Sequence, residues 1–149
     1  LPGMQNAEFE RLGSMHRNTF VDAPRLLTSC LEWRERNGLF LAGQITGMEG
    51  YLGNIGSGVI AGRNAVLRLQ GLEPAALPAT TLLGALTQHV AHSPSGNFQP
   101  MKAEFGLLPP LFPAVHKSQR KAAYAGRSAD ELATFLHNGR SGAVPPPSS

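Results

Sequence analysis

The chain has 149 residues, enough for about one domain, which excludes a solenoid or a large multidomain assembly. Hydrophobic residues make up 42% and charged residues only 15%, with 17 glycines and 12 prolines. This composition is too apolar for disorder and too rich in loop formers for a helical bundle. The net charge of +3 and the pI near 9.5 mildly favour polyanionic partners.

The single cysteine, Cys30, allows no intramolecular disulfide, and no cysteine or histidine group has the spacing of a zinc site. We therefore expect a protein of the reducing cytoplasm without a metal ion. No apolar run approaches the ~18 residues of a membrane helix, and no signal peptide begins the chain, so no membrane partner is expected. The start at Leu1-Pro2-Gly3 is typical of a turn inside a longer polypeptide, which predicts a fragment.

The first third of the chain predicts short, alternating elements. A helix is expected from Asn6 to Leu12 and a strand from Met15 to Val21. A second short helix is expected from Arg25 to Arg36, closed by the turn signal Asn37-Gly38. The compact apolar run from Leu39 to Ala42 then predicts a buried, parallel strand.

A glycine-punctuated turn over residues 43–50 follows this strand, and the pattern then becomes helical from Tyr51 to about Gln70. Each of four glycines inside this helix costs about 1 kcal/mol relative to alanine, so the glycines predict close approach to a sheet or a ligand. The glycines are Gly53, Gly56, Gly58 and Gly62, and the apolar positions are Ile55, Val59, Ala61, Ala65, Val66 and Leu69.

The second half predicts two further helices joined by an apolar loop. Thr80 or Thr81 caps a helix that runs to about His92, and residues 97–113 form a Pro-rich loop packed back on the domain. A last helix is expected from about Val115 to His137, before a disordered tail over residues 139–149. One side of this helix is apolar, and the other could follow an RNA backbone or simply be solvated. The apolar side carries Ala122, Ala125, Ala129, Leu132, Ala133 and Leu136, and the basic side carries Lys117, Arg120, Lys121, Tyr124 and Arg127.

The strand, glycine turn and helix start around residue 43 are the segment best suited to ligand binding. A helix N-terminus offers backbone N–H groups and a positive dipole end to an anionic or electron-rich ligand. Gly43, Gly47 and Gly50 would let the main chain approach such a ligand without a Cβ in the way. An ordinary turn between a strand and a helix is the alternative for the motif taken alone.

Four segments resemble, in order, the C-terminal portion of the folate- and FAD-dependent tRNA (uracil-5-)-methyltransferases. They are MQNAEFERLGSMHRNTF, LFLAGQITGMEGY, SGVIAGRNA and NFQPMKAEFGLLPPL, within about residues 2–111. The elements MHRNT, GQITG-x-EGY and FGLLPPL carry the resemblance most specifically. The related flavoproteins that modify the wobble uridine of tRNA share the general strand–turn–helix and are the second candidate within the flavin class.

The resemblance implies an α/β fold, the C-terminal part of a Rossmann-like FAD-binding domain over residues 1–138, whose glycine-rich N-terminal half is absent. It also implies an enzyme that takes a one-carbon unit from 5,10-methylenetetrahydrofolate. Reducing equivalents would come from NAD(P)H through FAD, and the product would be 5-methyluridine in the T-loop of tRNA. The implied partners are therefore tRNA and a folate.

The resemblance also implies roles for particular residues. His16, Arg17 and Asn18 of the MHRNT element would line the folate or RNA side, or else form an ordinary surface strand. Lys102 would contact phosphate or merely pair with Glu104. The residues implied to lie against the flavin are Gly43, Gln44, Thr46, Gly47, Glu49, Gly50 and Tyr51.

No catalytic residue is expected in this chain. The nucleophilic cysteines of the family belong to upstream sequence, and Cys30, in the context TSCLEW, does not take their role. The chain alone is therefore expected to be inactive. The alternative from a different class is a non-catalytic basic α/β module, or a remnant, that binds RNA or a partner without flavin.

Overall fold

The computed structural model describes residues 19–141, together with residues 5, 6 and 8. The helix predicted from Asn6 to Leu12 and most of the strand predicted from Met15 to Val21 lie outside these residues. The helices are α1 (Ala23–Leu26), α2 (Gly50–Leu69), α3 (Leu82–His92) and α4 (Arg120–Ser141), the strands are β1 (Met48–Glu49) and β2 (Met101–Lys102), and 3-10 turns span Gly43–Thr46 and Phe105–Leu107.

Strands β1 and β2 pair in parallel, with Met48 opposite Met101 and Glu49 opposite Lys102. Helices α2 and α3 lie between the two strands along the chain and form the connection between them. Parallel strands require a crossover connection of this kind. Helices combined with a parallel strand pair agree with the predicted α/β class. None of the helices in the described part of the chain is long and apolar enough to cross a membrane.

The helix predicted from Arg25 to Arg36 is wrong. Helix α1 starts earlier, because Pro24 occupies its first turn, where a missing N–H costs nothing. It stops after Leu26, because the N–H of Thr28 donates to the carbonyl of Glu32 at 2.9 Å and turns the chain back on itself. Residues 27–41 therefore form a double-turn segment with isolated antiparallel bridges, one of them between Leu27 and Trp33.

The parallel strand predicted from Leu39 to Ala42 is also wrong. Phe40 makes a single antiparallel bridge to Glu32, and the N–H of Leu41 donates to the carbonyl of Leu31 at 3.0 Å. Gly38, with φ +82°, allows the tight return that brings these residues beside their own upstream neighbours. The apolar run thus pairs with nearby residues of the same segment and does not join a parallel sheet.

Helix α2 confirms the predicted helix, but the close approach at two of its glycines is mainly to helix α3, whereas a sheet or a ligand was predicted. A Cβ on Gly53 would lie 3.3 Å from Leu86 Cδ2, and one on Gly56 would lie 2.5 Å from Leu83 Cδ1, so α3 packs directly on this face. The other two glycines, Gly58 and Gly62, face open space. The buried residues of α2 are Gly53, Ser57, Ile60, Ala61 and Asn64, whereas the predicted apolar positions Ile55, Val59, Val66 and Leu69 are exposed.

Asn64 fixes the middle of α2 to two other parts of the chain. Its side chain is fully buried, and its Nδ2 donates to the carbonyl of Cys30 at 3.1 Å. Its Oδ1 accepts from the N–H of Ala75 at 3.1 Å. A buried polar side chain requires such partners, and here they join the double-turn segment and the connector after α2 to one helix. The hydrophobic core around it comprises Ala23, Leu27, Leu31, Met48, Ile60, Ala61, Leu86, Val90 and Phe98.

The predicted cap and the predicted apolar loop are both confirmed. Thr81 caps α3, and its hydroxyl accepts from the N–H of Gly84 at 3.0 Å. Within residues 97–113 the side chains of Phe98 and Leu108 are buried, so this loop packs on the domain. Helix α4 starts at Arg120, later than predicted, and continues to Ser141, into the segment predicted as a tail.

Replacing Thr81 by alanine should lower the free energy of unfolding by about 1 kcal/mol, because the N-terminal cap of α3 is lost. The hydroxyl also donates to the carbonyl of Pro78 at 2.8 Å, so serine at this position should retain most of the stability. Urea denaturation of the two variants measures the difference. Equal stability of Thr81→Ala and Thr81→Ser would contradict the role of the hydroxyl.

Candidate functional site

The glycine turn joins the double-turn segment to α2 and is shaped by positive φ angles. The φ angles are +76° at Gly43, +83° at Gly47 and +78° at Gly50, a region that L-residues avoid. The turn therefore needs glycine at these three positions for its backbone path. It consists of the 3-10 turn over residues 43–46, the short strand β1 and the first residue of α2.

Two buried hydroxyls hold the first half of this turn. The N–H of Gly43 donates to Oγ of Ser57 at 2.8 Å, and Ser57 lies fully buried in α2. The Thr46 hydroxyl donates to the carbonyl of Gly43 at 2.7 Å, and Thr46 is fully buried as well. Both side chains act from inside the protein, so they determine the shape of the turn.

The second half of the turn rests on the segment that follows α3. The N–H of Met101 donates to the carbonyl of Gly47 at 3.0 Å. A Cβ on Gly47 would lie 2.5 Å from the ring of Phe98, so the ring occupies the place of a side chain. Phe98 in turn contacts the rings of Phe20 and His89, with centroids 5.9 and 5.8 Å away. This group of three rings therefore supports the turn through the contact between Phe98 and Gly47.

Within the described part of the chain, Gly50, Tyr51 and Leu52 are exposed, so the N-terminus of α2 is open to solvent there. Glu49 is the N-cap residue, but its side chain makes no capping hydrogen bond. The first backbone N–H groups of an α-helix have no acceptor within the helix, so they are available to a ligand together with the positive dipole end. The Asn54 Oδ1 atom, beside Gly43, is buried and has no hydrogen-bond partner within the described residues.

The structure brings Lys102 to the same place. Its register opposite Glu49 puts the two residues side by side, and its Cγ would lie 3.7 Å from a Cβ on Gly50. Lys102 is exposed and therefore adds a positive charge near the open helix end. Of the residues predicted to contact a flavin, Tyr51 is 89% exposed and Gly50 is exposed, whereas Thr46 and Gly47 are buried.

The remaining predicted substrate residues, His16, Arg17 and Asn18, lie outside the described residues. The chain just after them does contact the turn, because the N–H of Val21 donates to the carbonyl of Ile45 at 2.9 Å. Among the described residues no group of three or more acidic, cysteine or histidine side chains could hold a metal ion. The substrate-binding role of His16, Arg17 and Asn18 thus stays a prediction.

The surroundings of Cys30 favour the protonated thiol. Burial raises the pKa of the Cys30 thiol, and the negative charge of Glu32 raises the pKa further. A thiol is nucleophilic as the thiolate, which both effects disfavour at neutral pH. That Cys30 does not act as a nucleophile stays a prediction.

Sequence reasoning missed a buried ion pair beside the double-turn segment. The Glu32 carboxylate accepts from Nε and Nη2 of Arg68 at 2.8 and 2.9 Å and from the N–H of Gly38 at 2.8 Å. These hydrogen bonds, that of Arg68 above all, hold the pKa of the Glu32 carboxyl below its ordinary value. Glu32 and Arg68 are 36 positions apart, so no local sequence pattern predicts the pair.

The predicted basic side of the last helix is only partly assembled. Lys117 precedes α4, and Arg127 donates to the carbonyls of Pro110 and Pro109 at 3.0 and 2.8 Å. The Arg127 guanidinium also lies 5.2 Å from the ring centroid of Tyr124. The Tyr124 ring centroid also lies 5.8 Å from that of Phe105, so both residues join the Pro-rich loop to α4. This leaves less of the surface to follow an RNA backbone.

Comparison with known proteins first gives the class. Residues 1–73 match the family model described as glucose inhibited division protein A, so the match includes the glycine turn and all of α2. The particular relatives are proteins named methylenetetrahydrofolate--tRNA-(uracil-5-)-methyltransferase TrmFO. They confirm the resemblance inferred from the motifs. Nearly the whole length of this chain is homologous to a segment of these relatives.

The similarity is substantial but covers a minor part of each relative. The chain is 49% identical to the relative from Synechococcus sp. over 136 residues, which is 91% of this chain and 30% of the relative. It is 44% identical to the relative from Lactiplantibacillus plantarum, with 91% and 31% covered. For the relative from Bacillus cytotoxicus the identity is 44%, with 92% and 32% covered. The chain thus spans about a third of the length of the curated relatives it matches.

Proposed function

We propose that this chain is the C-terminal part of a folate- and FAD-dependent tRNA (uracil-5-)-methyltransferase, in which it completes a Rossmann-like FAD-binding domain. The observation that carries the proposal is the open N-terminus of α2 at the glycine turn, within a segment 49% identical to a named methyltransferase. The whole enzyme would act on the T-loop of tRNA and make 5-methyluridine. Methylenetetrahydrofolate would donate the carbon, and NAD(P)H would be the reductant.

The residues around the turn fit a flavin. The N–H groups of the first turn of α2 and the Lys102 ammonium would stabilise negative charge on an electron-rich ring. Gly50 leaves room for the ring, because a Cβ there would meet only the Lys102 side chain, at 3.7 Å. The buried oxygen of Asn54 supplies an unused acceptor beside Gly43. When bound, FAD supplies the reducing equivalents that a methyl group made from a methylene group requires.

The other predicted residues have two different tasks in this proposal. Gln44, Glu49 and Tyr51 retain accessible surface and would contact the flavin or the substrate beside it. Thr46 and Gly47 would act only through the backbone shape of the turn, since both are buried. The covalent chemistry would depend on cysteines of the remaining polypeptide, because Cys30 is unsuited to it.

The experiment uses a chimera in which this chain replaces the matched segment of the Synechococcus relative. Replacing Gly50 by valine should weaken flavin binding about tenfold, equivalent to ~1.4 kcal/mol, because a branched side chain covers the helix N-terminus. Flavin absorbance per polypeptide after titration measures the binding. Formation of 5-methyluridine in a T-loop transcript should fall in parallel.

Gly71→Val is the matched control for this substitution. Gly71 has a similar φ of +74°, lies just beyond the opposite end of α2 and has no atoms near its missing Cβ. Both valines therefore impose the same backbone strain, and only the one at Gly50 should reduce flavin binding. Equal flavin loss in both variants would remove the turn from the site. A chimera that modifies the wobble uridine instead would favour the related flavoproteins, and flavin-free RNA binding would favour a non-catalytic module.

A further inference from the structure

The positive charge of the chain is concentrated in one segment, residues 105–129. This segment holds four of the 13 lysines and arginines and none of the 10 aspartates and glutamates. In the rest of the chain acidic residues outnumber basic ones, so the net charge of +3 comes from this segment alone. A surface that only has to be soluble mixes both signs, whereas a surface of one sign attracts a partner of the opposite sign. The four residues are Lys117, Arg120, Lys121 and Arg127.

Three of these residues, Lys117, Arg120 and Lys121, form an exposed cluster at the start of α4, here called the basic patch. Lys117 lies in the turn that leads into the helix, and Arg120 and Lys121 are its first two residues. The Nε of Arg120 donates to the carbonyl of Val115 at 3.4 Å, which is a neutral acceptor. Within the described ranges no acidic side chain forms an ion pair with the patch, so its charge is not neutralised there.

The position of the basic patch is unfavourable for the helix that carries it. The N-terminus of an α-helix is the positive end of its dipole, so acidic residues stabilise the first turn and basic residues destabilise it. The first turn of α4 has no acidic residue and begins with Arg120 and Lys121. A polyanion beside the patch would turn this repulsion into attraction, because its charges would face both the side chains and the helix dipole.

A short segment connects the basic patch to the candidate functional site. Lys102, beside the glycine turn, is followed three residues later by Phe105, so at most about 10 Å of chain separates their Cα atoms. The ring of Phe105 lies 5.8 Å from that of Tyr124, one helical turn after Arg120. A nucleic-acid duplex carries a phosphate charge for roughly every 2 Å of its axis. An RNA arm whose loop lies at the candidate site therefore presents phosphates toward the patch.

We propose that the basic patch binds backbone phosphates of the tRNA arm whose loop is modified at the candidate site. The proposal rests on the proposed function and assigns it a second contact surface, outside the flavin site. Among polyanions RNA is favoured, because the relatives are named as enzymes that act on tRNA. Lysine contacts phosphate as a point charge, so the patch would position the RNA without reading its sequence. It would contribute to affinity and leave the chemical step unchanged.

Binding of a T-arm transcript to the chimera tests the patch directly. We expect Lys117→Gln/Lys121→Gln to weaken binding about tenfold at ~0.1 M salt, because two phosphate contacts are lost. The slope of log affinity against log salt concentration should become shallower by roughly 1.5 for the same reason. Fluorescence anisotropy at several salt concentrations measures both quantities. Arg120 is left unchanged, since its hydrogen bond to Val115 belongs to the fold.

Arg25→Gln/Arg36→Gln is the matched control, because it removes the same charge from exposed positions on another part of the chain. Its effect on affinity should stay below about twofold, since salt screens charges that do not touch the RNA. Equal weakening by the two double variants would assign the effect to net charge and overturn the proposal. Unchanged binding in the patch variant would overturn it too. If that variant binds RNA normally but unfolds at lower urea, another part of the polypeptide covers the patch.

Turnover separates the proposal from the proposed function. In the patch variant the KM for the transcript should rise about tenfold while kcat stays unchanged, because the patch does not touch the reacting atoms. A lowered kcat with unchanged transcript affinity would overturn the positioning role. If the patch variant loses RNA affinity in a chimera that lacks flavin or makes no 5-methyluridine, the patch is supported and the proposed function fails.

Discussion

Replacing Arg68 by methionine is expected to lower the free energy of unfolding by about 3 kcal/mol at neutral pH. Glu32 is only 5% exposed, and the substitution leaves its carboxylate buried with the N–H of Gly38 as its remaining partner. A buried charge that loses its partner is far more costly than a surface pair that is broken. Urea denaturation of this chain at about pH 7 measures the loss.

The pH dependence identifies the cause of that loss. The folded-state pKa of Glu32 lies below its ordinary value, so the pair contributes fully above about pH 4.5 and is lost as the pH falls through the lower pKa. The difference between wild type and Arg68→Met should therefore shrink at low pH, where the carboxylate is protonated. Glu73→Gln is the control, because Glu73 is 85% exposed and its contact with Arg68 is worth at most about 0.5 kcal/mol. A stability gap that persists unchanged at low pH would contradict this account.

Gly47→Ala is expected to destabilise the fold by about 3 kcal/mol, through two additive causes. The left-handed backbone costs a residue with a Cβ about 1–2 kcal/mol. The methyl group would also lie 2.5 Å from the ring of Phe98, and overpacking a core costs roughly 1–3 kcal/mol. Thermal or urea unfolding of the variant measures the sum.

Gly58→Ala is the matched control in the same part of the chain. Gly58 lies within α2, and a Cβ there would meet nothing within 4 Å. Alanine should therefore stabilise the helix by up to about 1 kcal/mol. A Gly47→Ala variant as stable as wild type would mean that Phe98 does not brace the turn.

The parts of the fold that local signals specify agree with the sequence. The helix after the glycine turn, the Thr81 cap and the apolar loop were predictable, because helical spacing, capping residues and hydrophobicity are read within a short window. The double-turn segment was not, because Arg25–Arg36 and Leu39–Ala42 have helix and strand patterns that pairing between Glu32 and Phe40 overrides. Tertiary contacts of this kind routinely prevail over local preference.

In the candidate site, too, local sequence signals predicted some features, whereas tertiary contacts decided the others. The glycines at 43, 47 and 50 predicted a special turn, and all three have positive φ. The burial of Thr46 and the exposure of Tyr51 were not predictable, because burial depends on packing by residues remote in sequence, such as Phe98 against Gly47. The orientation of α2 was unpredictable for a further reason. Three of its five buried residues are glycine, serine and asparagine, so hydrophobicity alone selects the opposite side.

The support of the glycine turn by Phe98 and Met101 limits how far the turn can be moved as a unit. The match to the family model ends at residue 73, and both supporting residues lie beyond that boundary, in a part of the chain that the relatives share. Transfer of the turn and α2 alone into another protein would leave Phe98 and Met101 behind. The glycine turn would then lose the contacts that support its backbone shape. A change in the length of the segment between α3 and β2 would therefore displace Phe98 and Met101 from the turn that they support.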